Sequence, residues 1–157
     1  AHYYTNFTYW TQHCWGVTCV NDMEAMLSYQ PITIGDKEQA LADLVRCYEK
    51  MMMRSHTNGG YVNLLDECWK MCEKFHTNIV IMYDHVSCKN VGGLHGLFED
   101  QARERGIHLI WIPHDVMDPR TVSRREMREA FSQYMVTVLN EKPLDPTLLD
   151  YEDALSW

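Results

Sequence analysis

The sequence is short of basic charge. Fourteen Lys and Arg stand against 22 Asp and Glu, and the formal net charge is −8. Phosphate backbones are bound by basic surfaces, so this balance argues against a nucleic-acid partner. Long apolar runs are lacking too. No stretch reaches the roughly 18 apolar residues of a membrane span. The start, AHYYTNFTYW, has neither the basic n-region nor the apolar h-region of a signal peptide. The first residue is Ala rather than Met, which fits a processed chain or a piece of a longer one. Also missing are the glycine-rich phosphate fingerprint, the Walker lysine motif and the G-x-S-x-G elbow. Cysteine is present at 14, 19, 47, 68, 72 and 88, but no C-x-x-C or His-x3-His pair occurs. A self-contained zinc site is therefore not expected. Disulfides are not needed either, because a domain of this size buries roughly 70% of its unfolded surface. A reducing cytoplasm fits this cysteine usage.

What is present reads as α/β. Residues 5–14 are aromatic and helix-compatible, and GVTCVN, 16–21, reads as a short buried strand opened by Gly16. Residues 22–29 have room for a helical turn or two, and QPITIGD, 30–36, is a connection. Asp36 is a candidate N-cap for a helix whose periodic face is Ala40, Leu41, Leu44, Val45, Cys47 and Tyr48. SHTNGG, 55–60, breaks it. A second helix, 61–75, carries Val62, Leu65, Cys68, Trp69 and Cys72 on one side, and the two Cys read as core packing. TNIVIMYD, 77–84, and IHLIWIP, 107–113, are continuous apolar runs of the kind found in strands buried on both faces. A helix over 92–105 lies between them. Ser123 and Glu126 form a capping-box pattern that opens a helix running to about Glu141. The acidic tail, 143–157, reads as a solvated surface segment. Strands alternating with helices imply a parallel sheet, here one α/β domain over 1–142.

Ligands of such sheets bind beyond the carboxyl ends of the strands. Both loops expected there, 84–91 and 113–122, carry chemistry-bearing side chains. Cys88 follows the first strand and precedes Lys89, Gly92 and Gly93. A thiolate at a helix start is favoured by backbone N–H groups and the helix dipole. Structural packing, ligation of a metal or cluster, and nucleophilic attack all remain open from this pattern. Redox exchange is weakest, because no resolving Cys lies nearby. His85 is a candidate for proton transfer or for orienting a ligand. His114 and Asp115 are placed to face the same crevice or to form a turn with Asp118 and Pro119. His95 reads as packing or surface, and His108 as structural.

The blocks SCKN, GLHGLFEDQARERGIHLIWI and DVMDPRTVSRREMREAF, in this order and spacing, resemble the benzoyl-CoA reductase and 2-hydroxyacyl-CoA dehydratase family over most of 16–142. SCKNVGGLHG is closer to a benzoyl-CoA reductase type subunit, since the dehydratases tend to carry Pro-Tyr-Ser after Cys-Lys. The resemblance implies a flavodoxin-like parallel sheet flanked by helices and a four-iron four-sulfur cluster held by three Cys. Of these only Cys88 has a counterpart here. The other ligands are then expected from a region or chain not present. A central strand upstream is also missing, so the chain is expected to be the C-terminal part of a longer, cytoplasmic subunit. The implied activity is an oxidoreductase of anaerobic aromatic degradation, with low-potential electrons reducing the ring of an aromatic acyl-CoA. The alternative is a lyase, an (R)-2-hydroxyacyl-CoA dehydratase. A non-catalytic flavodoxin-like interaction domain is the third reading. Implied partners are a homologous cluster-bearing subunit, a separate ATP-hydrolysing iron–sulfur activator, ferredoxin as upstream donor, and the acyl-CoA. His85 is the candidate for proton delivery, and the Gly92-Gly93 helix start for N–H donors to cluster sulfurs.

Overall fold

The structure is a computed structural model that describes residues 6–23, 31–49, 54, 59–118 and 120–150. The chain divides into two compact units, Ala1–Val20 with Asn78–Trp157, and Asn21–Thr77. The expected helical turn at 22–29 falls almost wholly outside the described residues.

The first unit is built on two parallel strands, β1 (Ile79–His85) and β2 (His108–His114), paired from Ile79↔His108 to His85↔His114. Both are the apolar runs expected to be strands, and helices flank the pair, so the mixed α/β class holds. Side chains alternate across a strand, so each strand serves two faces. On one face Ile110 and Ile112 join a buried core with Phe7, Trp10, Cys14 and Trp15 of α1 (Phe7–Trp15). Met127, Phe131 and Met135 of a later helix, Arg124–Thr137, complete it, and Ile79, Ile81 and Tyr83 pack against its side. Phe131 is the hub: its ring meets those of Phe7, Trp10 and Trp15 at 5.9, 5.8 and 6.4 Å, all edge-on. Such offsets suit the ring quadrupoles. On the other face Trp111 meets Phe98 of helix His95–Arg105 edge-on at 6.2 Å. β1 is half-buried throughout rather than fully buried.

GVTCVN is not a strand. Gly16 has φ +73° and closes α1 in the left-handed conformation, its N–H donating to the Gln12 carbonyl. Residues 16–20 are irregular, and 18–20 are exposed. A glycine that ends a helix and one that begins a strand look alike in sequence, and here α1 runs to Trp15 and uses it as a cap.

The acidic tail is not simply solvated where it is described. Leu144 donates its N–H to the Cys14 carbonyl at 2.7 Å, and Trp10 Nε1 donates to the Leu148 carbonyl at 2.9 Å. Leu148 packs against the core. The tail therefore straps α1 down. The helix opened by Ser123 has both bonds of the capping box and ends at Thr137, a turn earlier than expected.

The second unit contains α2 (Lys37–Glu49) and α3 (Tyr61–Phe75). Asp36 does cap α2, its Oδ1 accepting from Glu38 and Gln39 N–H. The expected apolar face of α2 is not the covered one: Leu41, Leu44, Val45 and Tyr48 are exposed. Asp43 is buried instead, taking Thr33 N–H and Oγ1, Gln39 Nε2 and Arg46 Nη1 at 2.8–2.9 Å. Four donors stabilise that carboxylate, so the polar stripe is satisfied where it lies. In α3, Leu65, Cys68, Trp69 and Cys72 are buried as expected, but Leu64 joins them and Val62 is exposed. No helix among the described residues is long and apolar enough to cross a membrane.

Candidate functional site

The register His85↔His114 brings both strand ends to one edge, so the loops after β1 and β2 leave the sheet side by side. That edge collects Tyr83, Asp84, His85, Cys88, His114 and Asp115. The helix expected over 92–105 is broken in two. A four-residue turn, α4 (Lys89–Gly92), is followed by α5 (His95–Arg105). The Gly-Gly pair is what divides them. Gly92 N–H donates to the Cys88 carbonyl and Gly93 N–H to the Lys89 carbonyl. Their N–H groups are engaged at the end of α4, which corrects the expectation that they donate at a helix start. Cys88 itself is the N-cap of α4 and is half-buried.

Two polar groupings lie near the ends of the two strands. On the core face, His85 Nδ1 accepts the Ser87 N–H at 3.0 Å, which leaves the neutral-ring proton on Nε2. Nε2 lies 3.8 Å from Asp115 Oδ1. Asp115 is buried and accepts N–H from Met117 and Asp118. The Met117 N–H is the largest influence holding its carboxyl below the usual carboxylate range. This is the turn reading of Asp115, and it coexists with the contact to His85. The His85 and His114 rings meet edge-on at 5.8 Å. Both nitrogens of His85 thus have neighbours within the chain, and proton delivery by it requires Nε2 to turn from Asp115.

On the opposite face, His95 stacks on Trp111 at 3.6 Å with its Nε2 3.3 Å from Asp84 Oδ1. This trio escaped the sequence reading. Asp84 and His95 sit on different elements, and no local spacing links them. His108 packs its ring edge-on against Tyr134, a structural contact as expected.

Of the other described cysteines, Cys14 and Cys19 belong to the same unit. Cys14 is buried in the core, and burial, helped by Asp145, pushes its thiol up to about 11. Cys68 and Cys72 are buried in α3, in the other unit. Among the described residues no three His, Cys, Asp or Glu side chains are grouped to hold a metal. Cys88 is thus the thiol that this edge would offer to a cluster, as one contributed ligand.

No family model, curated protein or solved structure matches this chain.

Proposed function

We propose that this chain contributes one cluster ligand, Cys88, to an iron–sulfur subunit of the benzoyl-CoA reductase type. The observation that carries the reading is the position of Cys88: a half-buried thiol capping a short helix at the carboxyl edge of a parallel strand pair. The order of the SCKN, GLHG and DPR blocks supports it from sequence. The remaining ligands come from outside the described residues.

A bound cluster would supply single electrons at a low potential set by thiolate ligation and burial. The net reaction adds two electrons and two protons to the ring of an aromatic acyl-CoA and leaves a cyclic diene. The electrons come from ferredoxin through the ATP-hydrolysing activator, and the protons from solvent. In this chain, the loop after β1, fastened to the end of β2 by the Val86 N–H to His114 carbonyl bond, holds the thiol at the sheet edge.

The test is iron and acid-labile sulfide on the native complex isolated without oxygen, beside Cys88→Ser. Loss of about four irons with the substitution supports the reading. Iron absent from both, or unchanged, refutes it and leaves a non-catalytic interaction domain. Offering benzoyl-CoA and a 2-hydroxyacyl-CoA separately then decides between the reductase and the dehydratase, in which water is lost from the substrate with no net redox change.

A further inference from the structure

Cys88 is held by a turn that is fastened at several points. Val86 N–H donates to the His114 carbonyl at 3.0 Å, and Cys88 N–H donates to the His85 carbonyl at 2.9 Å. Between them, Ser87 N–H donates to the His85 ring. That bond has a side chain as its acceptor, so it persists only while the imidazole keeps its orientation. The ring is flanked by the His114 ring on one side, and its Nε2 faces Asp115. Asp115 is itself fixed by two backbone N–H groups of its own loop. A continuous path of contacts therefore runs from the loop after β2 to the turn that carries the thiol.

We infer that Asp115 is a positioning residue for Cys88, acting through the His85 ring. The buried carboxylate favours the ring orientation that presents Nε2–H to it and Nδ1 to Ser87. The ring then fixes the 86–88 turn. The inference rests on the reading above only in taking Cys88 as the working thiol. Without the carboxylate, the ring loses the charge that favours Nε2–H, the Ser87 bond weakens and the thiol samples more orientations. A hydrogen bond of ordinary strength sets the size of the effect.

The test uses the metal-free full chain with 15N-labelled imidazoles, and peptide-resolved iodoacetamide alkylation at fixed pH. In the wild type the proton is expected on Nε2 of His85. Asp115→Asn is expected to populate the other tautomer and to speed Cys88 alkylation about twofold to tenfold, with Cys19 unchanged. His85→Phe keeps a ring but removes both nitrogens, and is expected to speed Cys88 alkylation likewise. A wild-type His85 protonated on Nδ1 overturns the inference. So does a Cys88 rate unchanged in both variants while far-ultraviolet circular dichroism shows them folded. If Asp115→Asn does not fold, the wild-type tautomer and the His85→Phe rate decide. Iron and sulfide play no part in these readouts, so failure of the cluster reading and failure of this one are separable.

Discussion

Gly16 ends α1 in the left-handed conformation, so a substitution there has a predictable sign. Its φ of +73° is a conformation that costs an L-residue roughly 1–2 kcal/mol. A Cβ at Gly16 would also lie 2.8 Å from Leu144 Cδ1. That carbon ends a flexible side chain that is 73% exposed, so it can swing away at small cost. Gly16→Ala is therefore expected to lose about 1–2 kcal/mol, nearly all from the backbone. For a chain of this length that is a fall in Tm of about 2–8 °C. Gly16→Val should lose more, because a β-branched residue tolerates positive φ least. A strand beginning at Gly16 reverses that order, since Val strengthens strands. Urea and thermal unfolding of both variants, with Leu144→Ala combined with Gly16→Ala, separates backbone strain from collision. A Gly16→Val protein as stable as wild type would refute the helix-cap assignment. If Leu144→Ala restores most of the Gly16→Ala loss, the collision rather than the backbone carries the cost.

Phe131→Ala removes the ring on which Phe7, Trp10 and Trp15 converge, and should cost roughly 3–5 kcal/mol in denaturant unfolding; a loss below about 1 kcal/mol would mean that this core is not packed as described. Donation from the Thr33 backbone and hydroxyl, then from Gln39, holds the Asp43 carboxyl below its ordinary value of 3.8. A lowered folded pKa gives stability that is present above the ordinary value and is lost as pH falls through the folded one. The stability gap between wild type and Asp43→Asn should therefore narrow as pH falls through and below the ordinary value of 3.8, and a constant gap across acid unfolding curves contradicts the network. At about pH 8 the Cys14 thiol, pushed up to about 11, should be alkylated far more slowly than exposed Cys19. Equal rates in a folded sample would show that α1 is not seated on the core.

The features legible in the sequence are those whose physics is local. The Ser123–Glu126 capping box needs only a spacing of three, and it forms as read. Asp36 caps α2 for the same reason. The two strands were legible because continuous β-branched and apolar runs between polar boundaries suit few other environments. The position of Cys88 at the sheet's carboxyl edge followed from that alternation of strands and helices. The periodic stripe of α2 was also visible, but periodicity does not say which stripe is covered. Four donors around Asp43 drew the polar side inward, and two of those bonds come from Thr33, outside the helix.

By itself, then, the sequence determined the capped helix starts at Asp36 and Ser123, the runs of β1 and β2 and the loop that carries Cys88, because each depends on residues within a few positions of one another. The tertiary structure alone decided the pairing of His85 with Asp115 and of Asp84 with His95. It also decided the strap from Leu144 and Leu148 onto α1 and the role of Gly16 as a helix end. The reason is common to all of them: these contacts join residues on different elements, and they exist only once the parallel register of β1 and β2 and the packing of α1 have set the distances between those elements.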